Sequence, residues 1–209
     1  MATTKRVEIS APNFQTGVFR IIGTAPYLQH KFSNRPKQEI KEKQMAGSTA
    51  KKNKQKVAKD FNACYEESKY VGTDGTNGIP ATAFRNAFIR ACKLVGYEMT
   101  MAKMSVFVEA DTYDQDDGTP LVNFVKGKPK MHEGIVRIQQ TMDLRVRAMW
   151  REGWEMDLRV KWDADQFTID DISNLIMRAG LQVGVGEGRP FSKASAGCGF
   201  GTFELKGAK

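Results

Sequence analysis

The residue types that could do chemistry in this chain are glycines and cations, far more than acids or nucleophiles. Six glycines (Gly184, Gly186, Gly188, Gly197, Gly199 and Gly201) fall within eighteen residues, in the run GVGEGRPFSKASAGCGFG, with Arg189 and Lys193 among them. Glycine serves where φ must be positive or where backbone must approach a ligand closely. Backbone N–H groups in such turns make concave seats for anions. Phe191, Cys198, Phe200 and Phe203 are too apolar for a flexible linker. The run therefore predicts a structured loop that brings backbone to phosphate, and a side chain at Gly188 should obstruct the ligand more than it disturbs the fold. Neither common nucleotide motif fits. A dinucleotide fingerprint follows a strand and opens a helix, whereas this run follows a helix and has Arg189 in place of the third glycine. No Gly-Lys-Ser/Thr step of a P-loop occurs.

The second concentration is of positive charge. The chain carries a net +8, and ten lysines and arginines against three acids between Lys31 and Asp60 place +7 of it there. A basic arm on a near-neutral body suits a polyanion, phosphate backbone first, with an affinity that salt weakens. Lys31, Arg35, Lys51, Lys52, Lys54 and Lys56 are its expected contacts. General acid–base chemistry has one candidate, His30 in LQHKFS; the other histidine, His132 in KPKMHEG, reads as a surface residue. Cys64, Cys92 and Cys198 lie far apart with no CxxC pair, which argues against structural zinc and for a reducing, cytoplasmic setting. The acidic stretch DTYDQDDGTP puts Tyr113, Gln115 and Phe124 where a calcium loop needs ligands, so it reads as a solvated turn. No metal and no cofactor are expected. No apolar run approaches the roughly 20 residues of a membrane span, and MATTKRVEISAP lacks a signal peptide's apolar core.

The elements that must position these groups follow from periodicity. Val7–Ser10 is a short possible strand and Gly17–Gly23 a better one, with Phe19 and Ile21 on one side. Helical pieces are expected around Pro36–Met45 and Lys51–Ser68, the second ending in the stripe Val57, Phe61, Cys64 and Tyr65. Pro80 opens a helix whose buried stripe should be Ala83, Phe84, Ala87, Phe88, Ala91, Leu94 and Val95. Residues 104–110 and 121–126 read as a hairpin inserted at 104–126. Alternation over Leu144–Trp150 and Trp154–Trp162, joined by Arg151-Glu152-Gly153, predicts a second hairpin. Thr168 caps the last helix with Asp171 in capping-box position, and a strand from Thr202 to Leu205 closes the chain. With insertions removed, the order is strand, helix, strand, strand, helix, strand. That is an α+β, ferredoxin-like (βαββαβ, RRM-like) core in a single domain over residues 1–209, with a basic insertion at 28–78 after the first core strand.

Two passages resemble a known family. GIPATAFRNAFIRAC is similar to the Ile-Pro-Gly-Ser-Ser-Leu-Lys-Gly helix opening of the RAMP superfamily, the repeat-associated proteins of CRISPR systems. GVGEGRPFSKASAGCGFGTFEL resembles that superfamily's glycine-rich loop and closing strand, and the two cover about 40 of the 209 residues. Ala81-Thr82-Ala83 replaces Gly-Ser-Ser, Asn86 replaces a small glycine, and Arg90 stands one place late for the usual basic residue. The nearest branch is the backbone subunits that polymerise along guide RNA. GTAPYLQHKFS is similar to RAMP-like proteins of bacteriophages, which implies the bacterial host cytoplasm. The resemblance implies contacts at Thr82, Arg85, Gly186, Gly188, Arg189 and Lys193. It implies a non-catalytic binder that coats single-stranded RNA or DNA as a homo-oligomer or filament. Independently of the resemblance, an exposed aromatic would offer a base-stacking platform, and Tyr27, Phe32 and Phe191 are the candidates, with a core role as the alternative for each. Two alternatives stay open: a metal-independent endoribonuclease of the CRISPR-processing type using His30, and a CRISPR-subunit mimic acting through protein contacts.

Overall fold

A computed structural model describes residues 9–31, 41, 44–45, 59–138, 141–192 and 197–207. Its strands are β1 (Phe14–Gly23), β2 (Tyr27–Gln29), β3 (Gly78–Pro80), β4 (Val106–Glu109), β5 (Thr112–Tyr113), β6 (Pro120–Lys126), β7 (Lys130–Ile138), β8 (Thr141–Trp150), β9 (Glu155–Asp163) and β10 (Phe203–Leu205). Its helices are α1 (Phe61–Glu67), α2 (Ala81–Leu94), α3 (Met99–Ser105) and α4 (Ile169–Arg178), the last continuing into a π-turn over Ala179–Val183. The chain is an α+β protein with antiparallel sheets.

In the main sheet β10, β1 and β9 run side by side, and β4 and β6 share the far edge of β9. Beyond them β6 pairs β3 and β5, while β2, β8 and β7 make a separate three-stranded sheet. One face of the main sheet is apolar because β9 alternates as read: Met156, Leu158, Val160 and Trp162 are buried, with Ile21 of β1 beside them. Helices α2 and α4 cover that face, where Phe84 meets Phe203 ring to ring at 5.7 Å. The other face carries charge, including the Arg20–Asp157 ion pair. Thr168 accepts from the Asp171 N–H while Asp171 accepts in return, the expected capping box at the start of α4.

Several expected pairings form differently. Strands β8 and β9 exist where alternation put them, yet they do not make a hairpin: β8 pairs β7 and β2, and β9 pairs β1, β4 and β6. The reason lies in the turn. Gly23, at the end of β1, donates to the Trp154 carbonyl at 2.7 Å and accepts from the Gly153 N–H at 2.8 Å. Trp150 and Trp154 are both fully buried on either side of that turn, so the chain changes sheets there. The hairpin expected over 104–126 is also absent. Met104 and Ser105 finish α3, β4 joins β9, and the strand folded back on β6 is the two-residue β5.

Helix α2 buries Ala81, Ile89 and Cys92 along with most of the expected stripe, whereas Leu94 and Val95 are more than half exposed. It is packed by the sheet on one side and by α3, α4 and the π-turn on others, so burial extends past a single stripe. Strand β1 begins at Phe14, and Ile9 and Ser10 belong to no strand; Val7 lies outside the described residues. In α1, Phe61 is exposed and Tyr65 half-buried, and Asp60 caps it. Most of the basic segment, with Arg35, Lys51, Lys52, Lys54, Lys56, Val57 and Phe32, lies outside the described residues, as does Lys193.

Candidate nucleic-acid interface

The glycine loop is structured, and its own chain holds it. Val185 donates to Gly201 O at 2.9 Å, Glu187 to Leu28 O at 2.9 Å, Cys198 and Phe200 to Gly188 O at 2.8 and 3.1 Å, and Gly201 to Pro26 O at 2.7 Å. These N–H groups are therefore spent on the loop's closure. Gly188 has φ +74, and a Cβ there would stand 3.0 Å from the Phe200 ring. Its glycine is required by backbone conformation, and it does not line the groove described next. The positive φ gives this glycine a backbone reason beside the expected approach to a ligand. Gly186, by contrast, does line that groove, with its own φ at +79.

The groove, about 620 Å³, lies between the start of α2 and the loop. From α2 come Pro80, Thr82, Ala83, Asn86, Ala87 and Arg90; from the π-turn and loop come Val183, Gly184, Val185, Gly186, Arg189 and Phe191; Tyr70 and Thr119 close one end. Thr82, Asn86 and Arg90 fall four residues apart, which aligns them along one face of the helix. At the helix start no side chain caps the backbone and no acid stands in the first turn. The leading N–H groups and the dipole's positive end are thereby left to an anion. Arg90 lies over the Phe191 ring at 5.1 Å, and Arg189 Nη1 donates to Gly186 O at 2.7 Å, bracing the loop. Strand β3 places the helix start: Gly78–Pro80 pairs β6 at Asn123–Leu121. Buried Gln29 ties it to β2 by donating to Gly78 O at 2.8 Å and accepting from the Tyr70 N–H at 2.9 Å. No protein-family model matches the chain, and no curated protein matches it.

Of the residues expected at the site, Thr82, Gly186 and Arg189 come together, with Phe191 as the exposed aromatic. Arg85 does not. Its guanidinium donates to the carbonyls of Val106 (3.1 Å) and Lys103 (2.5 Å) and stacks on Phe107, tying α2 to α3 and β4. Lys31 is also elsewhere: at 4 % exposure its ammonium meets Asp114 at 2.7 Å and Asp116 at 2.6 Å. Burial pulls its pKa down, but the hydrogen bonds to the two carboxylates outweigh that and hold it above the ordinary lysine value. The acidic turn is accordingly anchored at Asp114, which is buried, and only partly solvated. Tyr27 is a core residue, its ring packed by Phe124, Trp150 and Trp154, with burial raising its phenol pKa.

His30 is exposed and lies outside the groove, in a second hollow with Lys59, Asp143 and Arg145. Partial desolvation beside the protein surface lowers its pKa, with Glu187 opposing that and Arg145 and Arg147 adding to it. Asn86, Arg90, Tyr70 and Thr119 were missed as groove residues. The signal for two of them was the four-residue spacing from Thr82; for Tyr70 and Thr119 the sequence holds none, because only tertiary folding brings them in.

Proposed function

We propose that the chain is a non-catalytic binder of single-stranded nucleic acid, RNA or DNA, that holds the strand by its phosphates in the groove between α2 and the glycine loop. The observation that carries this is the meeting of an uncapped helix start, Arg90, Arg189 and the exposed ring of Phe191 in one open groove. Helix N–H groups and guanidiniums suit phosphate, and an aromatic face stacks a base without regard to its identity. No histidine or carboxylate lines the groove among the described residues, which favours binding over cleavage. The lysines and arginines of residues 31–60, the ion-paired Lys31 apart, would add a salt-sensitive attraction for the strand.

The finer reading of the fold belongs with this proposal. With β4 taken as the second core strand, the order β10–β1–β9–β4 with α2 and α4 on one face is the order a ferredoxin-like βαββαβ core requires. Together with the two resembling passages it supports a RAMP-like chain that coats its strand as an oligomer. Ile135 and Met142, each 69 % exposed on β7 and β8, offer apolar surface for contacts between copies. The test compares binding of single-stranded RNA, single-stranded DNA and duplex, with the size of each complex measured. The proposal expects single strands to bind more tightly than duplex and complexes that grow with strand length. Equal affinity for duplex, or no binding, would refute it.

A further inference from the structure

A second cluster of charged groups lies on the other sheet, away from the groove. The β7–β8 register sets His132 opposite Arg147 and Gly134 opposite Arg145, so the four share one face. His30, just past β2, sits close enough to feel both arginines and Glu187. The glycine loop delivers Glu187, whose N–H bond to Leu28 O hangs its carboxylate 2.7 Å from Arg147 Nη1 and 3.9 Å from Arg145 Nη1. Gly134 lets the Arg147 guanidinium and the His132 ring lie against the strand: a Cβ there would stand 2.7 Å from Arg147 Nη2 and 3.1 Å from the His132 ring.

Charges and hydrogen bonds do not balance in this cluster. Three cations, Arg145, Arg147 and Lys59, meet two carboxylates, Glu187 and the Lys59-paired Asp143 beside Arg145. Arg147 is 4 % exposed, yet its Nε finds no hydrogen-bond partner among the described residues, and neither does buried His132 Nδ1. Glu187 Oε2 is near Arg147 but is not aligned to accept from it, so the approach is a charge contact only. A buried donor without an acceptor is costly. A tetrahedral oxyanion presents acceptors in several directions and matches the fork of an arginine pair. We propose that Arg145 and Arg147, flanked by His30 and His132, form a binding site for a phosphate group, with Glu187 as its resident competing carboxylate. The site stands independently of the groove, one residue further along the loop from Gly186.

The two imidazoles report on the site directly, since the chain has two histidines. Their ring Cε1–H resonances, told apart with His132→Gln, are followed by NMR at fixed pH during titration with inorganic phosphate, with chloride at matched ionic strength as control. A parallel titration uses an oligothymidylate with hydroxyl ends, whose only phosphates are internal diesters. Both resonances should shift saturably with phosphate and not with chloride. Arg145→Gln should weaken the response about tenfold, the worth of one charge-assisted hydrogen bond. Glu187→Gln should tighten it about threefold by removing a partly exposed competing charge. A matching response to the oligothymidylate assigns the phosphate to a bound strand, and a response to inorganic phosphate alone assigns it to a free anion. Absence of a saturable shift with either probe, or unchanged affinity in both variants with their folds intact, overturns the proposal.

Discussion

At Lys31 a single ammonium meets two carboxylates while nearly out of water, with Asp114 fully buried beneath it. Removing one member of such a pair leaves the other as an uncompensated buried charge, at a cost of about 3–5 kcal/mol. Lys31→Met is therefore expected to lower the melting temperature by roughly 2–4 °C per kcal/mol for a chain of this size. It should leave single-strand affinity unchanged when measured well below the variant's midpoint. Because the folded-state pKa of Lys31 is raised, its contribution is fully present below the ordinary value of 10.5 and is lost as pH climbs through the folded value. Thermal melts of wild type and variant from pH 8 to beyond 11 check both points, and wild type should lose its advantage only at the alkaline end. In the sequence this lysine is indistinguishable from the other cations of its segment. Nothing local marks Asp114, some eighty residues on, as its partner.

At the scale of elements, the glycine loop was legible as structured but not for the reason that governs Gly188. Its φ of +74 is a backbone demand, and the loop's N–H groups close on its own carbonyls. Gly188→Val is accordingly expected to cost about 1–3 kcal/mol through backbone strain, read as an earlier thermal midpoint. Strand binding by the folded fraction should be retained, because Gly188 is not among the groove's lining residues. Loss of binding with an unchanged midpoint would return this glycine to the ligand. Alternation located β8 and β9 correctly because each buries one face. Their partners were hidden, since the same pattern serves a hairpin or two separate sheets. What separates them is Gly23 bonding into the turn from β1. Likewise nothing local in the sequence shows that Arg85 is held by carbonyls of α3 and β4 while Arg90 lines the groove.

For the molecule as a whole, the α+β class, both long helices and the two ends of the groove could be read from sequence, because capping, periodicity and glycine density are local signals. The enclosure of the groove and the arginine–histidine cluster could not, since each joins segments a hundred residues or more apart. The central claim is that the groove between α2 and the glycine loop holds a strand by its phosphates. The most direct measurement is the salt dependence of single-strand affinity for wild type and for Asn86→Asp combined with Arg90→Gln. Asn86 is exposed and Arg90 is ion-paired with no carboxylate among the described residues, so the fold should be little affected. The account predicts at least about tenfold weaker binding at low salt, and a slope of log affinity against log salt shallower by about one for the lost cation. Affinity and slope equal to wild type, in a variant that melts at the wild-type temperature, would contradict it.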